Sequence, residues 1–182
     1  FFAETNHVNG GSIRLFVCRK DCDIYNIEKY STLLNKLRLE EKNYNLKDEN
    51  TYKDFQNKIN DIKNKTNLFV DNIIKSKKEV FALGASTKGN ILLQHFGLEK
   101  SKIPYISERN PEKVGLRCLG SDIELISEES ARSKNPKAFV VLPWNFKEEI
   151  VKREKKYLDD GGTLMFPMPY PHTVDRNGEK KL

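Results

Sequence analysis

The residues best suited to chemistry fall in one stretch, Gly84-Ala85-Ser86-Thr87-Lys88-Gly89-Asn90, set between the apolar run 80–83 and an apolar-rich segment that closes on Gly97. Small and polar residues between a strand and a helix leave main-chain N–H groups unpaired at the helix start, and such groups attract an anion. The spelling Gly-x-Ser-x-x-Gly keeps the first and third glycines of the dinucleotide fingerprint and puts Ser86 in the middle, where a pyrophosphate presses closest on the backbone. A side chain there argues against ordinary NAD binding. A P-loop is not formed either, because Asn90-Ile91 stands where Lys-Ser/Thr must reach the terminal phosphates and magnesium. Gly84, Ser86, Thr87 and Lys88 are thus candidates for anion binding. The competing reading is that Gly84 and Gly89 only let strand and helix pack closely.

Two further groups join this candidate. Glu108 lies 24 residues beyond Gly84, near the end of the next strand, where a dinucleotide fold places an acid on a ribose hydroxyl. Arg109, Asn110 and Pro111 follow it as a turn, and Glu108 is equally readable as a solvated residue of that turn. Trp144 and Asn145 follow Pro143 at the end of the apolar run 138–142. Trp144 can stack on a base or sugar or close the edge of a core, and Asn145 with Glu148 spells a capping box. Other chemistry is missing: His7, His95 and His172 lack metal-type spacing, and Cys18 and Cys22 have no second pair to complete a zinc site. Lys88 replaces the last glycine of a Gly-x-Ser-x-Gly elbow, and Ser86 has no partner base. No catalytic residue and no metal ligand is assigned.

The elements that must hold these residues are legible from periodicity. From Val80 to Phe166 apolar strands alternate with helical segments, which implies a parallel sheet with right-handed crossovers and a ligand crevice at the strands' carboxyl ends. Strand candidates are 80–83, 103–108, 123–126, 138–142 and 163–166. Ser127 caps a short helix, and Asn145 starts one through Ile150, Val151, Glu154 and Leu158 that stops at Gly161-Gly162. Upstream, Ile24 to Lys78 reads as helical. Tyr52, Phe55, Ile59, Ile62, Thr66, Phe69 and Ile73 form a seam at steps of three and four, capped by Asp48 or Asn50. That seam suits packing against the following domain better than a coiled-coil dimer. Residues 13–17 alternate as a strand for which the next sixty residues offer no partner. Residues 171–182 are polar and read as a mobile tail.

Composition sets bounds on all this. The 182 residues suit one domain with an appendage, and with 37% hydrophobic against 32% charged residues the core must be concentrated, mostly after residue 79. The net charge of +6 is scattered and fits an anionic small substrate or a solvated surface as well as nucleic acid. Three cysteines, an odd number, point to a reducing, cytoplasmic setting. No apolar run approaches the ~20 residues that span a bilayer. A chain that opens on Phe1-Phe2 without an initiator Met reads as part of a longer protein.

Four motifs in order, Gly84 to Asn90, Glu108-Arg109-Asn110-Pro111-Glu112-Lys113-x-Gly115, Leu142-Pro143-Trp144-Asn145-Phe146 and Gly161-Gly162-x-Leu164-x-Phe166-Pro167, resemble the C-terminal domain of S-adenosylmethionine-dependent sugar C-methyltransferases. Gly10 to Arg14 resemble the closing strand of that family's central domain. The resemblance implies an α/β, Rossmann-like three-layer domain with a parallel sheet, preceded by a helical connector and an N-terminal strand segment. It divides the chain into 1–20, the end of the central methyltransferase domain; 21–79, the connector; 80–170, the Rossmann-like domain; and 171–182, a tail. It also implies a nucleotide-linked keto-sugar facing Ser86, Thr87 and Lys88 in a larger enzyme, where a base removes the proton α to the keto group and the enolate carbon takes the sulfonium methyl. The zinc-domain cysteines, the cofactor loop and the Tyr-x-Glu-His stretch are absent from this chain. S-adenosylmethionine is therefore expected on another domain, with no cofactor here and no methyl transfer by this chain alone. The implied partner is the nucleotide sugar, with no nucleic acid and no membrane, and a homodimer through the helical connector is one possible assembly. The family's second turn reads Asp-Arg-Asn-Pro, and here Glu108 takes its first place. A nucleotide-binding regulatory domain without methyl transfer is the alternative.

Overall fold

The computed structural model describes residues 2–23 and 27–182. Phe1 and the start of the helical stretch at Ile24, through residue 26, lie outside the described residues. The chain forms two compact units, one ending at Asn57 and one running Lys58–Leu182.

In the first unit β1 (Phe2–Asn6) pairs antiparallel with β2 (Ser12–Phe16). The strand expected to lack a partner thus finds one in the residues before it. Three directly opposed pairs fix the register on one face: the Phe2 and Phe16 rings at 5.2 Å, Arg14 donating to Glu4 at 2.8 Å, and the Ser12 hydroxyl on Asn6 at 2.6 Å. β1 is too polar and short to announce itself by hydrophobic alternation. Two helices follow, α1 (Ile27–Asn43) and α2 (Glu49–Lys75). Asp48 caps α2 by accepting from the Asn50 amide at 2.9 Å.

The division at Asn57 and Lys58 falls inside α2, well short of the expected boundary at 79. The cause is the seam itself. Ile62, Thr66 and Val70 are buried, and Phe69 and Ile73 pack against the core of the second unit. Thr66 is tolerated there because its hydroxyl donates to the Ile62 carbonyl one turn back, at 2.7 Å.

The second unit has seven strands: β3 (Val80–Leu83), β4 (Tyr105–Glu108), β5 (Glu124–Ser127), β6 (Ala138–Val141), β7 (Thr163–Phe166), β8 (His172–Asp175) and β9 (Gly178–Lys181). Between them lie α3 (Thr87–Phe96), α4 (Glu128–Ser133), α5 (Lys147–Arg153) and α6 (Lys155–Asp159). The sheet order is β5-β4-β3-β6-β7-β8-β9, parallel from β5 to β7 and antiparallel beyond. This is a mixed α/β fold on a mostly parallel sheet. β3 and β6 are fully buried, and their residues alternate between two cores. Val80, Ala82 and Val140 pack with α2 and α3, whereas Phe81, Leu83, Phe139 and Val141 pack with α5 and α6. From β3 the chain winds out to β5 and then returns to β6 on the other side, so the winding reverses between β3 and β6.

Two expectations fail in the last third. Residues 171–182 are not a tail: β8 and β9 form a hairpin that extends the sheet, with Val174 opposite Leu164 and His172 opposite Phe166. The signal was present in Asn177-Gly178, where Gly178 takes φ +106° beside a two-residue turn. The helix from Asn145 is also absent as one piece. Residues Trp144–Phe146 form a 3-10 turn with no side-chain cap, and α5 and α6 break at Glu154. Glu154 is 2% exposed, and Arg132 donates to it twice, at 2.8 and 3.2 Å, with Arg153 at 3.2 Å. A carboxylate buried to that degree is tolerated only with such partners.

Candidate functional site

The turn after β3 is built by two glycines with different duties. Gly84 takes φ +82°, and a Cβ on it would meet the Pro143 ring at 2.8 Å. Gly89 lies in the first turn of α3, and a Cβ there would come within 2.5 Å of the Leu142 Cβ. Both glycines therefore serve close packing of strand, helix and the segment after β6, as the competing sequence reading held. Ser86 spends its hydroxyl as the cap of α3, accepting from the Gly89 amide at 3.0 Å.

Glu108, at the end of β4, is 8% exposed and holds two loops together. Its Oε2 accepts from the Ala85 amide and its Oε1 from the Asn110 amide, both at 2.8 Å. Lys113 closes the same junction by donating to the Ala85 carbonyl at 3.1 Å. The expected row of open amides is therefore reduced, because two donors of the junction are taken by the chain's own Ser86 and Glu108. The amide of Thr87, first residue of α3, has no acceptor among the described residues. Asn110 caps the next turn, accepting from Glu112 at 3.0 Å.

Two crevices flank this junction on opposite faces of the sheet. The first, of about 240 Å³, lies over the carboxyl ends of β3 and β4 and is lined by Gly84, Glu108, Arg109, Pro143, Phe146 and Arg153 among others. The second, of about 290 Å³, is apolar and takes in Lys88, Trp144, Leu92, Phe96 and Met168. The structure thus divides the predicted set. Gly84, Glu108 and Arg109 share the first crevice, and Lys88 and Trp144 share the second. Thr87 is exposed at the helix start, Asn145 is half-buried, and neither lines a crevice.

Sequence reasoning missed the α5 wall of the first crevice. Phe146, Glu149, Ile150 and Arg153 line it, and their spacing of three and four residues was the available signal. The wall is charge-matched: Arg109 lies 3.8 Å from Glu149, and Arg153 lies 3.2 Å from Glu128. Nearby, burial raises the pKa of the Cys118 thiol, and the negative charge of Glu108 raises it further. Among the described residues no cluster of three potential metal ligands occurs, and no helix is long and apolar enough to cross a membrane.

Comparison with known proteins bears directly on these motifs. C-methyltransferase NovU from Streptomyces niveus is 29% identical over 171 residues, which cover 94% of this chain and 40% of that protein. The chain thus spans less than half the length of this relative. The family described as the C-methyltransferase C-terminal domain matches residues 7–169, a span that includes both crevices and stops short of the β8–β9 hairpin. By that match, covering most of its length, the chain belongs to the C-methyltransferase C-terminal domain family.

Proposed function

We propose that this chain is the acceptor-binding part of an S-adenosylmethionine-dependent C-methyltransferase, a Rossmann-like domain that holds a nucleotide-linked keto-sugar at the carboxyl rim of β3, β4 and β6. The observation that carries this reading is the crevice over β3 and β4, which Pro143 and Phe146 after β6 wall on the side where the strand order reverses, the usual place for a ligand in an open α/β sheet. It draws Gly84, Glu108 and Arg109 together from two separate family motifs. The exposed start of α3, with Thr87 and Lys88, offers the adjoining place for a diphosphate.

The chemistry of this chain is then binding and orientation. Methyl donation and proton abstraction belong to other parts of the full-length enzyme. Neither rim cavity, at about 240 and 290 Å³, reaches the ~300–1,000 Å³ of a whole small-molecule site. S-adenosylmethionine belongs in this scheme to the other parts of the full-length enzyme, and none of these residues is assigned to it. Residues 1–20 belong in this scheme to the preceding methyltransferase domain, and Tyr52 and Phe55, exposed on α2, are the contacts for a homodimer through the connector.

Titration of the 15N-labelled chain with a nucleotide sugar tests the proposal. Amides of Gly84 to Lys88 and of Glu108 to Asn110 should move together. A perturbation confined to other regions rejects the site. NAD that moves the same amides without any sugar requirement would favour the regulatory alternative, against which the Ser86 side chain at the middle position argues.

A further inference from the structure

The crevice over β3 and β4 has a floor whose charge says what it accepts. Glu108 contributes a buried carboxylate that has no cation within 4 Å among the described residues, being held by main-chain amides alone. A carboxylate offers about four acceptor positions. Two are occupied by Ala85 and Asn110. The remainder are left for donors from the crevice, which Glu108 lines. The two arginines of the same crevice do not reverse this charge, since Arg109 faces Glu149, and Arg153 faces Glu128 and also donates to Glu154. Three carboxylates and two guanidinium groups line the cavity. A phosphate seated there would meet Glu108 with no unmatched cation among the residues that line the crevice to offset the repulsion.

Resting on the nucleotide-sugar reading above, we infer that this crevice is a subsite for the ligand's terminal sugar ring and not for the nucleotide's ribose, the adjacent hydroxyls of that ring donating to Glu108, and that it excludes the diphosphate. The volume of about 240 Å³ agrees, being small for a whole ligand and sufficient for one ring. The exposed face of Phe146 supplies an apolar surface for the ring's C–H side. The diphosphate then lies outside, toward Thr87 and Lys88.

The test compares UDP-glucose with UDP as probes of the 15N-labelled chain. UDP-glucose should move the amides of Ala85, Glu108 and Asn110, and UDP should leave these in place while moving Thr87 and Lys88. The inference is overturned if UDP alone moves Ala85, Glu108 and Asn110 as far as UDP-glucose does, or if UDP-glucose binds without moving them. If neither probe moves any amide, the nucleotide-sugar reading itself falls, and this inference with it. Glu108→Gln, which removes the charge from the crevice floor and sets an NH2 against one of the two main-chain amides, should weaken UDP-glucose about tenfold and UDP by a smaller factor. The wild-type shift map decides the matter independently if that variant does not fold.

Discussion

At the scale of single residues, two positions bear most of the weight. Glu108 couples the turn after β3 to the turn after β4 through two 2.8 Å hydrogen bonds, so its charge is felt locally. Because that charge disfavours the Cys118 thiolate, Glu108→Gln should lower the Cys118 pKa and speed its alkylation at pH 8, as followed by mass spectrometry. An unchanged rate would mean that burial alone governs the thiol. Gly89 bears on packing instead. An alanine there gains about 1 kcal/mol of helix propensity but forces a Cβ to within 2.5 Å of Leu142, an overpacking cost of about 1–3 kcal/mol. Gly89→Ala should therefore show a lower urea midpoint with an unchanged slope.

At the scale of elements, the β8–β9 hairpin is the part with its own electrostatic latch. Lys147 on α5 pairs with Glu179 on β9 at 2.5 Å, and the Tyr170 hydroxyl donates to the same carboxylate at 3.1 Å. The Lys147 contact, then that of Tyr170, holds the Glu179 pKa below its ordinary 4.5. A depressed carboxylate pKa gives stabilisation that is complete above the unfolded value and disappears as pH falls through the folded one. Amide exchange in β8 and β9 should accordingly accelerate, relative to β3 and β6, between about pH 5 and pH 3. In Glu179→Gln that differential should vanish. β9 itself is an exposed edge carrying Glu179, Lys180 and Lys181, and charges of this kind discourage pairing with other chains.

At the scale of the whole molecule, the excess of six positive charges is spread over the surface, and the crevices differ in what they contribute to it. The carboxylate-floored cavity adds little attraction for anions, so in the proposed scheme long-range attraction for a nucleotide diphosphate would come from exposed groups such as Lys88 at the start of α3. Exposed charges are screened by salt. The dissociation constant for UDP, measured by calorimetry, should rise about three- to tenfold between 50 and 500 mM NaCl. A salt-independent constant would place the diphosphate in a buried setting instead.

Several features were legible from residue order alone. The alternation of apolar strands and helices from Val80 to Phe166 determined a parallel sheet, because a strand buried on both faces reads as an unbroken apolar run and helical segments repeat at three and four. The seam of α2 showed that Ile62, Thr66, Phe69 and Ile73 share a face, and Gly84 and Gly89 marked the tight junction. Other features depended on distant partners. Whether the junction's amides were open turned on Glu108, a residue 23 positions from Ala85 that sequence reading left between a ribose ligand and a solvated turn residue, and that folding brings onto the Ala85 amide. The polar strands β1, β8 and β9 are stabilised by neighbours rather than by their own propensity, so their composition concealed them. The division of the predicted residues between two crevices was likewise decided by tertiary structure alone, since strand order determines where the carboxyl ends lie but the side of the sheet that each loop covers follows from how α3 and α5 pack on opposite faces.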